Sequence, residues 1–411
     1  MSVNFNLVEH KYSQPHWKEL QLGFRHISEI HPKIHLRDEE NNNLVISGRL
    51  FIASSLNHNP LKKSNPKLTR QRHQHQKTVF CNTNSINALA HILKTEKRKL
   101  LMMAKKPRYR TFTTPKKSGG ERLIETPFME LKRLQSNLSK FLQSVYYFEK
   151  SRAAYGFIVG VRNEEDRRNV MTNAKKHVNK PYMVNIDLKD FFHAISKKRV
   201  VEMFTKPPFN FRRDLPEILA NLTTYEDRLP MGTPTSPVLS NFACRDLDRE
   251  LIIFSERMGL TYTRYADDMT FCSNQKMEAQ AFNVLKGIIE KYDFKINERK
   301  LKFYGPNDAK IITGLVVTDK VALEPNYLPN IKKEIDRLRA ILHSQNEQGQ
   351  FSTKWVEQFK RQIRGRLNFA GFVLNRRDDN YIALKDAYYE AIHPPEEEFG
   401  AINWRSFPYN I

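Results

Sequence analysis

The chain has 411 residues, 40% of them hydrophobic, enough to bury a sizeable core, and its length allows two or three domains. Lys and Arg number 68 against 45 Asp and Glu, a formal net charge of +23, which points to a polyanionic partner such as nucleic acid. The three cysteines, Cys81, Cys244 and Cys272, are spaced for neither a disulfide framework nor a zinc site, and no secretory signal or long apolar run is found, so a secreted disulfide scaffold and a helical membrane protein are excluded and a reducing, cytoplasmic setting is expected.

Residues 33–55, "KIHLRDEENNNLVISGRLFIASS", alternate enough to predict a hairpin turning at the polar run Asp38–Asn43. From Asn41 to Thr95 there is no acidic residue, and "NPLKKSNPKLTRQRHQHQK" (59–77) carries six Lys or Arg with little apolar content. That stretch reads as a basic linker or a nucleic-acid-contacting arm, with Lys62, Lys63, Arg70 and Arg72 as candidate RNA contacts. A small N-terminal appendage is therefore expected over residues 1–78.

A helix behind a Ser85 cap is expected to open the main body over "TNSINALAHILKTEKRKLLMMA". "TFTTPKKSGGERLIETP" (111–127) reads as strand, Gly-Gly turn and strand, with Lys116 and Arg122 beside the turn; such a hairpin can grip phosphates or simply be solvated. An amphipathic helix follows over "FMELKRLQSNLSKFLQSV". In "PYMVNIDLKDFF" (181–192) Tyr182, Val184 and Ile186 share one strand face, and Asp187 ends the other, polar face. "LPMGTPTSPVLSNFACRDLDREL" (229–251) is a Gly and Pro loop leading into a helix with Ser236 placed to cap and Pro237 in its first turn. "LTYTRYADDMTFCS" is a hairpin tipped by Ala266, Asp267 and Asp268. Another amphipathic helix, a strand, turn and strand over "KINERKLKFYGPNDAKIITGLVV", and a basic helical region from Leu328 to about Leu374 complete the pattern before an aperiodic tail.

Adjacent carboxylates repel and need a compensating cation when they are partly buried. Asp187 at one strand end, with Asp267 and Asp268 on a later hairpin, could hold two magnesium ions, hard cations that take carboxylate oxygen and keep water and substrate phosphate. Two such ions suit an in-line phosphoryl displacement. Each acid alone is equally a turn or cap residue.

The motifs in this order resemble those of the reverse transcriptases: "TPKKSGGERLI" their fingers hairpin, "NIDLKDFF" the first catalytic motif, "LPMGTPTSPVLSN" the template-contacting loop, "YADD" the second catalytic motif, "INERK" the next, and "ITGLVV" the primer-grip region. The resemblance spans about residues 85–375. It implies an α+β polymerase right hand, with fingers and an antiparallel-sheet palm over 79–325, a helical thumb over 326–393 and a tail over 394–411. It further implies an RNA-directed DNA polymerase using two Mg²⁺ per active site, held by Asp187, Asp267, Asp268 and the Leu188 backbone. Arg122, and more weakly Lys116, would pair with the triphosphate of a dNTP. Phe192 would exclude a ribose 2′-OH, or serve as a core aromatic. Gly232 would lie against template and nucleotide. Lys300 would stand near the leaving pyrophosphate, or be a solvated lysine. One departure is Met231 where such enzymes commonly have Gln.

"NAKKH" (173–177) and "ITG" (312–314) resemble the Asn-Ala-x-x-His and Val-Thr-Gly motifs of the retron reverse transcriptases. They imply RNA contacts at Asn173, His177, Thr313 and Gly314, although His177 also reads as a satisfied surface histidine and Thr313–Gly314 as a turn. The retron resemblance implies a cognate structured noncoding RNA as template and candidate primer, an RNA-linked branched DNA product, antiphage defence and an effector partner, without a membrane. The alternatives are another defence-associated reverse transcriptase making unbranched cDNA, and a noncatalytic RNA-binding protein on a polymerase fold.

Overall fold

The computed structural model describes residues 68–115, 119–347 and 353–393. The chain divides after Pro66, and all that follows concerns the second unit, Lys67–Ile411. The expected N-terminal hairpin, Lys62, Lys63 and Lys116 lie outside the described residues.

Residues expected as a linker instead form helix α1 (Arg70–Cys81), capped by Thr69, whose side chain accepts from the Arg72 amide. Its buried side chains are His73 and Phe80, on one face two turns apart. His73 Nδ1 lies 2.8 Å from Ser144 Oγ, so a polar residue fills the place where periodicity looks for an apolar one. The expected boundary at residue 78 therefore cuts through a helix of the main body.

The single helix expected after Ser85 is two. Helix α2 (Ile86–Ile92) is capped by Ser85, as its sequence suggests, and α3 (Lys97–Lys105) follows. Between them Lys94 adopts φ +58. The amides of Lys94 and Thr95 donate back to the carbonyls of His91 and Ala90, a helix-ending motif that usually uses Gly. With Lys in that position the stop carries no sequence signal.

Strands β1 (Tyr109–Pro115) and β2 (Glu121–Pro127) pair antiparallel, Tyr109 opposite Pro127 and Pro115 opposite Glu121. Helix α4 (Met129–Glu149) then buries Leu131, Leu134, Leu138, Leu142 and Val145 along one stripe. The short helix α5 (Val170–Lys175), opened by a capping box of Asn169 and Thr172, precedes β3 (Tyr182–Asp187). After it come α6 (Lys197–Thr205), α7 (Leu215–Thr223), α8 (Ser236–Ala243) and α9 (Arg245–Arg257). The hairpin β4 (Thr261–Tyr265) and β5 (Asp268–Ser273), helix α10 (Ala279–Lys291), a 3₁₀ turn (Glu298–Lys300) and β6 (Lys302–Tyr304) complete a four-stranded antiparallel sheet in the order β4-β5-β3-β6.

One face of that sheet, with Val184, Ile186 and Phe271, packs on α4, α8 and α9 through Leu142, Leu239 and Leu251. The opposite face of β3, read as the polar one, carries Met183, Asn185 and Asp187. Met183 is buried in a second core with Ala174, Cys272, Ile312 and Leu315, where a three-stranded sheet of β7 (Lys310–Ile312), β8 (Leu315–Val317) and β9 (Val321–Leu323) packs. Asp187 stands at the far end of the strand, beyond the β6 pairing. The second core continues into helices α11 (Tyr327–Glu347), α12 (Lys354–Leu374) and α13 (Asp379–Ile392), through Ile331, Ile335, Ile363, Leu367 and Tyr388. Gly371 of α12 lets the Tyr381 ring approach, for a Cβ there would stand 2.6 Å from Cε2. Among the described residues no helix is long and apolar enough to cross a membrane.

Candidate active site

The β3–β5 register sets Asp187 directly opposite Asp268. Directly opposed side chains share a sheet face, so two carboxylates are forced together by the ladder itself. The β4–β5 connection is the two-residue turn Ala266–Asp267, flanked by the Tyr265–Asp268 pair. The Leu188 amide donates to the Asp267 carbonyl at 3.1 Å, fastening this turn to the end of β3. Asp187, Asp267 and Asp268 thus converge as expected, with Leu188 beside them.

Ala266 has φ +60, a conformation that costs a non-glycine residue roughly 1 kcal/mol. A fully buried ion pair braces it. The Arg264 guanidinium meets the Asp248 carboxylate in a fork, Nε to Oδ1 and Nη2 to Oδ2 each 2.8 Å, and its Nη1 donates to the Ala266 carbonyl at 3.1 Å. Asn241 joins this group by accepting from Arg264 at 3.1 Å and donating to the Gly156 carbonyl at 2.9 Å. Gly156 lies so close to the turn that a Cβ would stand 2.7 Å from the Ala266 nitrogen. Sequence reading misses Arg264 and Asp248. The available signal is an acid on the buried stripe of α9 beside Leu247 and Leu251, and a base inside a buried strand; two such charges must find each other.

Asp187 is 9% exposed and has two protein donors: Lys300 Nζ at 2.8 Å from Oδ1, and Asn297 Nδ2 at 2.9 Å from Oδ2. The hydrogen bond to Asp187 raises the Lys300 pKa, so this lysine is not merely solvated. Burial and the repulsion of Asp187 hold Asp267 above the usual carboxylate range, with Lys300 and Arg122 opposing. Asp268 keeps solvent access as a residue, but protein around its carboxyl and the charges of Asp267 and Asp187 push it up to about 6. Burial and mutual repulsion both act against charge on these two acids, and a nearby cation would favour it.

Among the described residues no three acidic, His or Cys side chains form a ready-made metal cage. What the acids offer is an open, all-oxygen donor set, which fits Mg²⁺, an ion that usually keeps waters and takes substrate phosphates alongside one or two carboxylates. Each carboxylate oxygen of Asp187 retains a lone pair beyond its protein bond.

The other expected residues divide. Arg122 is exposed on β2, and its charge reaches Asp267. Phe192 is half-buried, its ring 5.4 Å from that of Phe191 and 6.1 Å from that of Phe157, so a core contact and an exposed face coexist. Gly232, at φ +109, passes so close to β2 that a Cβ would stand 2.9 Å from Ile124 Cγ2. Ser236 is the first residue of α8 rather than its cap; its amide donates to Thr233 Oγ1 at 3.2 Å and its hydroxyl to the Pro230 carbonyl at 2.7 Å, which closes the loop.

Asn173 and His177 lie inside the fold. Both are 1% exposed, and His177 Nε2 lies 2.7 Å from Thr263 Oγ1 of β4. Burial lowers the His177 pKa to about 3, leaving a neutral ring without charge or access for RNA phosphate. His177 thereby ties the turn after α5 to β4. Thr313 and Gly314, both at positive φ, are the β7–β8 turn. Arg70 and Arg72 are exposed on α1.

The family described as reverse transcriptase (RNA-dependent DNA polymerase) matches residues 114–329. The retron Ec86 reverse transcriptase of Escherichia coli is 31% identical over 251 residues, covering 60% of this chain and 75% of that protein. The chain belongs to the retron-type reverse transcriptases. The retron Mx65 reverse transcriptase of Myxococcus xanthus is also 31% identical, over 256 residues, 58% of this reverse transcriptase and 56% of that one. Among solved structures, telomerase from Candida albicans in complex with a TWJ fragment of telomeric RNA is 10% identical, covers 75% of this chain and 68% of its own, and has a TM-score of 0.38. The α+β fold is that of the polymerase right hand, and this family of RNA-directed DNA polymerases generally uses divalent metal ions.

An acid whose pKa rises on folding, from 3.8 to about 6 for Asp268, carries more protons folded than unfolded between those values. It favours folding below that window and opposes it above. In the reverse transcriptase without metal, Asp268→Asn is therefore expected to raise the melting temperature at neutral pH by roughly 1–3 °C, solvent screening allowed for. The gain should vanish near pH 4, as scanning fluorimetry in chelator across pH would read.

Proposed function

We propose that this reverse transcriptase copies a cognate structured noncoding RNA into single-stranded DNA at Asp187, Asp267 and Asp268. The observation that supports the site is the Asp187–Asp268 register, which brings strand-end carboxylates together beside a braced turn. Two Mg²⁺ held there would activate the attacking hydroxyl and stabilise the leaving oxygen.

The chain's own groups take the remaining roles. Arg122 presents a fork to the triphosphate of the incoming dNTP. Phe192 offers ring bulk against a ribose 2′-OH. Gly232, packed on the hairpin by its missing side chain, sits in the loop that would lie against template and nucleotide. Lys300, held by Asp187, carries a charge and a proton within reach of the leaving pyrophosphate. In this reading the β1–β2 hairpin belongs to the fingers, the four-stranded sheet to the palm, and α11–α13 to the thumb. Exposed Lys332, Lys333 and Arg337 on α11, and Arg361 and Arg364 on α12, provide cations for the nucleic-acid backbone, as Arg70 and Arg72 do on α1.

Replacing Asp267 and Asp268 together by Ala is expected to reduce Mg²⁺-dependent dNTP incorporation by on the order of a thousandfold or more. RNA retention in a filter-binding assay should stay within about threefold, since cations elsewhere supply the phosphate contacts. Incorporation by the double variant contradicts the site; RNA retention by the wild type without any incorporation favours a binding protein.

The retron assignment extends the proposal to an RNA-linked, branched product primed from an internal 2′-OH. The role in antiphage defence with an effector partner rests on the family resemblance. Sequencing nucleic acid that co-purifies with the expressed protein is expected to reveal RNA joined 2′ to 5′ to DNA. Unbranched cDNA would favour another defence-associated reverse transcriptase.

A further inference from the structure

Glu125 lies on β2, three residues from Arg122, and its side chain is wholly buried. A buried carboxylate is costly unless it is paired and hydrogen-bonded, and this one is bonded in every direction. Arg228 Nη1 stands 2.8 and 2.9 Å from its two oxygens. Its Oε2 also lies 3.0 Å from His193 Nε2 and accepts from the Met231 amide at 3.2 Å. The main chain repeats the contact, for the Glu125 amide donates to the Met231 carbonyl at 2.7 Å.

Those bonds join three separate segments. One is the β1–β2 hairpin that carries Arg122. Another is the turn after β3, where His193 directly follows Phe192. The third is the loop from Arg228 to Met231, which presents Gly232. The press of Gly232 against Ile124, next to Glu125, shows how tightly loop and hairpin meet. Arg228 is itself held against the segment after β3 by a backbone bridge to Ser196. Met231 joins through its backbone, so the departure from Gln at this position leaves the clasp intact.

We propose that Glu125 is a positioning residue for the incoming nucleotide. It fixes the separations among Arg122, Phe192 and Gly232, the groups that the proposed function assigns to triphosphate, sugar and template, and it rests on that reading. Displacing one of these by a fraction of an ångström misplaces the nucleotide without touching the three aspartates. The clasp therefore acts on nucleotide affinity and sugar selection more than on the chemical step.

The test is steady-state incorporation of dNTP and of the matching rNTP on an RNA template, with melting temperatures, for the wild type, Glu125→Gln and His193→Asn. Glu125→Gln keeps the shape but removes the charge that Arg228 pairs with and one of the acceptor oxygens. The dNTP KM is expected to rise about tenfold while kcat falls less than about threefold, and the preference for dNTP over rNTP is expected to shift several-fold. His193→Asn, which loses one arm of the clasp, should move both quantities in the same direction by less. If Glu125→Gln melts more than about 5 °C below the wild type, the kinetics of His193→Asn decide the matter. Unchanged KM and sugar preference in the folded variants overturn the clasp alone, as does a loss confined to kcat. A wild type that incorporates no dNTP overturns the functional reading beneath it.

Discussion

Three acidic residues meet at the end of one sheet, brought there by strand register and by the turn between two strands. Asp187 and Asp268 are opposed by strand register, and Asp267 is carried in by the turn between Tyr265 and Asp268. The described protein answers with a single direct cation, Lys300 on Asp187, and the more distant field of Arg122. Burial, together with repulsion among the acids, raises the pKa of Asp267 and Asp268, so a cation beside them would favour their charged form.

Two ion pairs stand near these acids. Beneath the turn, the fully buried Arg264 and Asp248 lock the backbone on which Asp267 rides; elsewhere, the buried Glu125 and the partly exposed Arg228 tie the hairpin of Arg122 to the loop of Gly232. Buried pairs of this kind add little net stability over an apolar filling, but they tolerate only one geometry. The first pair fixes the turn that carries Asp267, and the second fixes the groups proposed to seat the nucleotide. Exposed Lys and Arg side chains lie on α1, α11 and α12, and a net charge of +23 for the whole chain suits a polyanionic partner.

Much of this is legible in the sequence. Alternation around Asp187 marks a strand, the "YADD" string marks a hairpin, and the Gly-Gly hairpin bearing Arg122 stands where its residues place it. The failures have physical causes. Helix α1 hides because a hydrogen-bonded histidine fills its buried position, and the break after α2 hides because Lys94 takes a glycine's conformation. Motif spacing offers Asn173 and His177 as surface RNA contacts, whereas α5 and the turn after it point them inward, and spacing alone does not reveal burial. Arg264, Asp248 and Glu125 escape notice because each looks like an ordinary surface charge until its partner, 16 or 103 positions away, is brought against it.

Sharing of metal ions by the three aspartates during nucleotide addition is the central claim. It is tested most directly by a crystal structure of the protein with an RNA template, a primer, a non-reactive dNTP and Mn²⁺ in place of Mg²⁺. Anomalous density bounded by Asp187 and the Asp267–Asp268 turn is expected, with the triphosphate completing the coordination beside Arg122. A nucleotide seated in the cleft with no anomalous density at these carboxylates would contradict it.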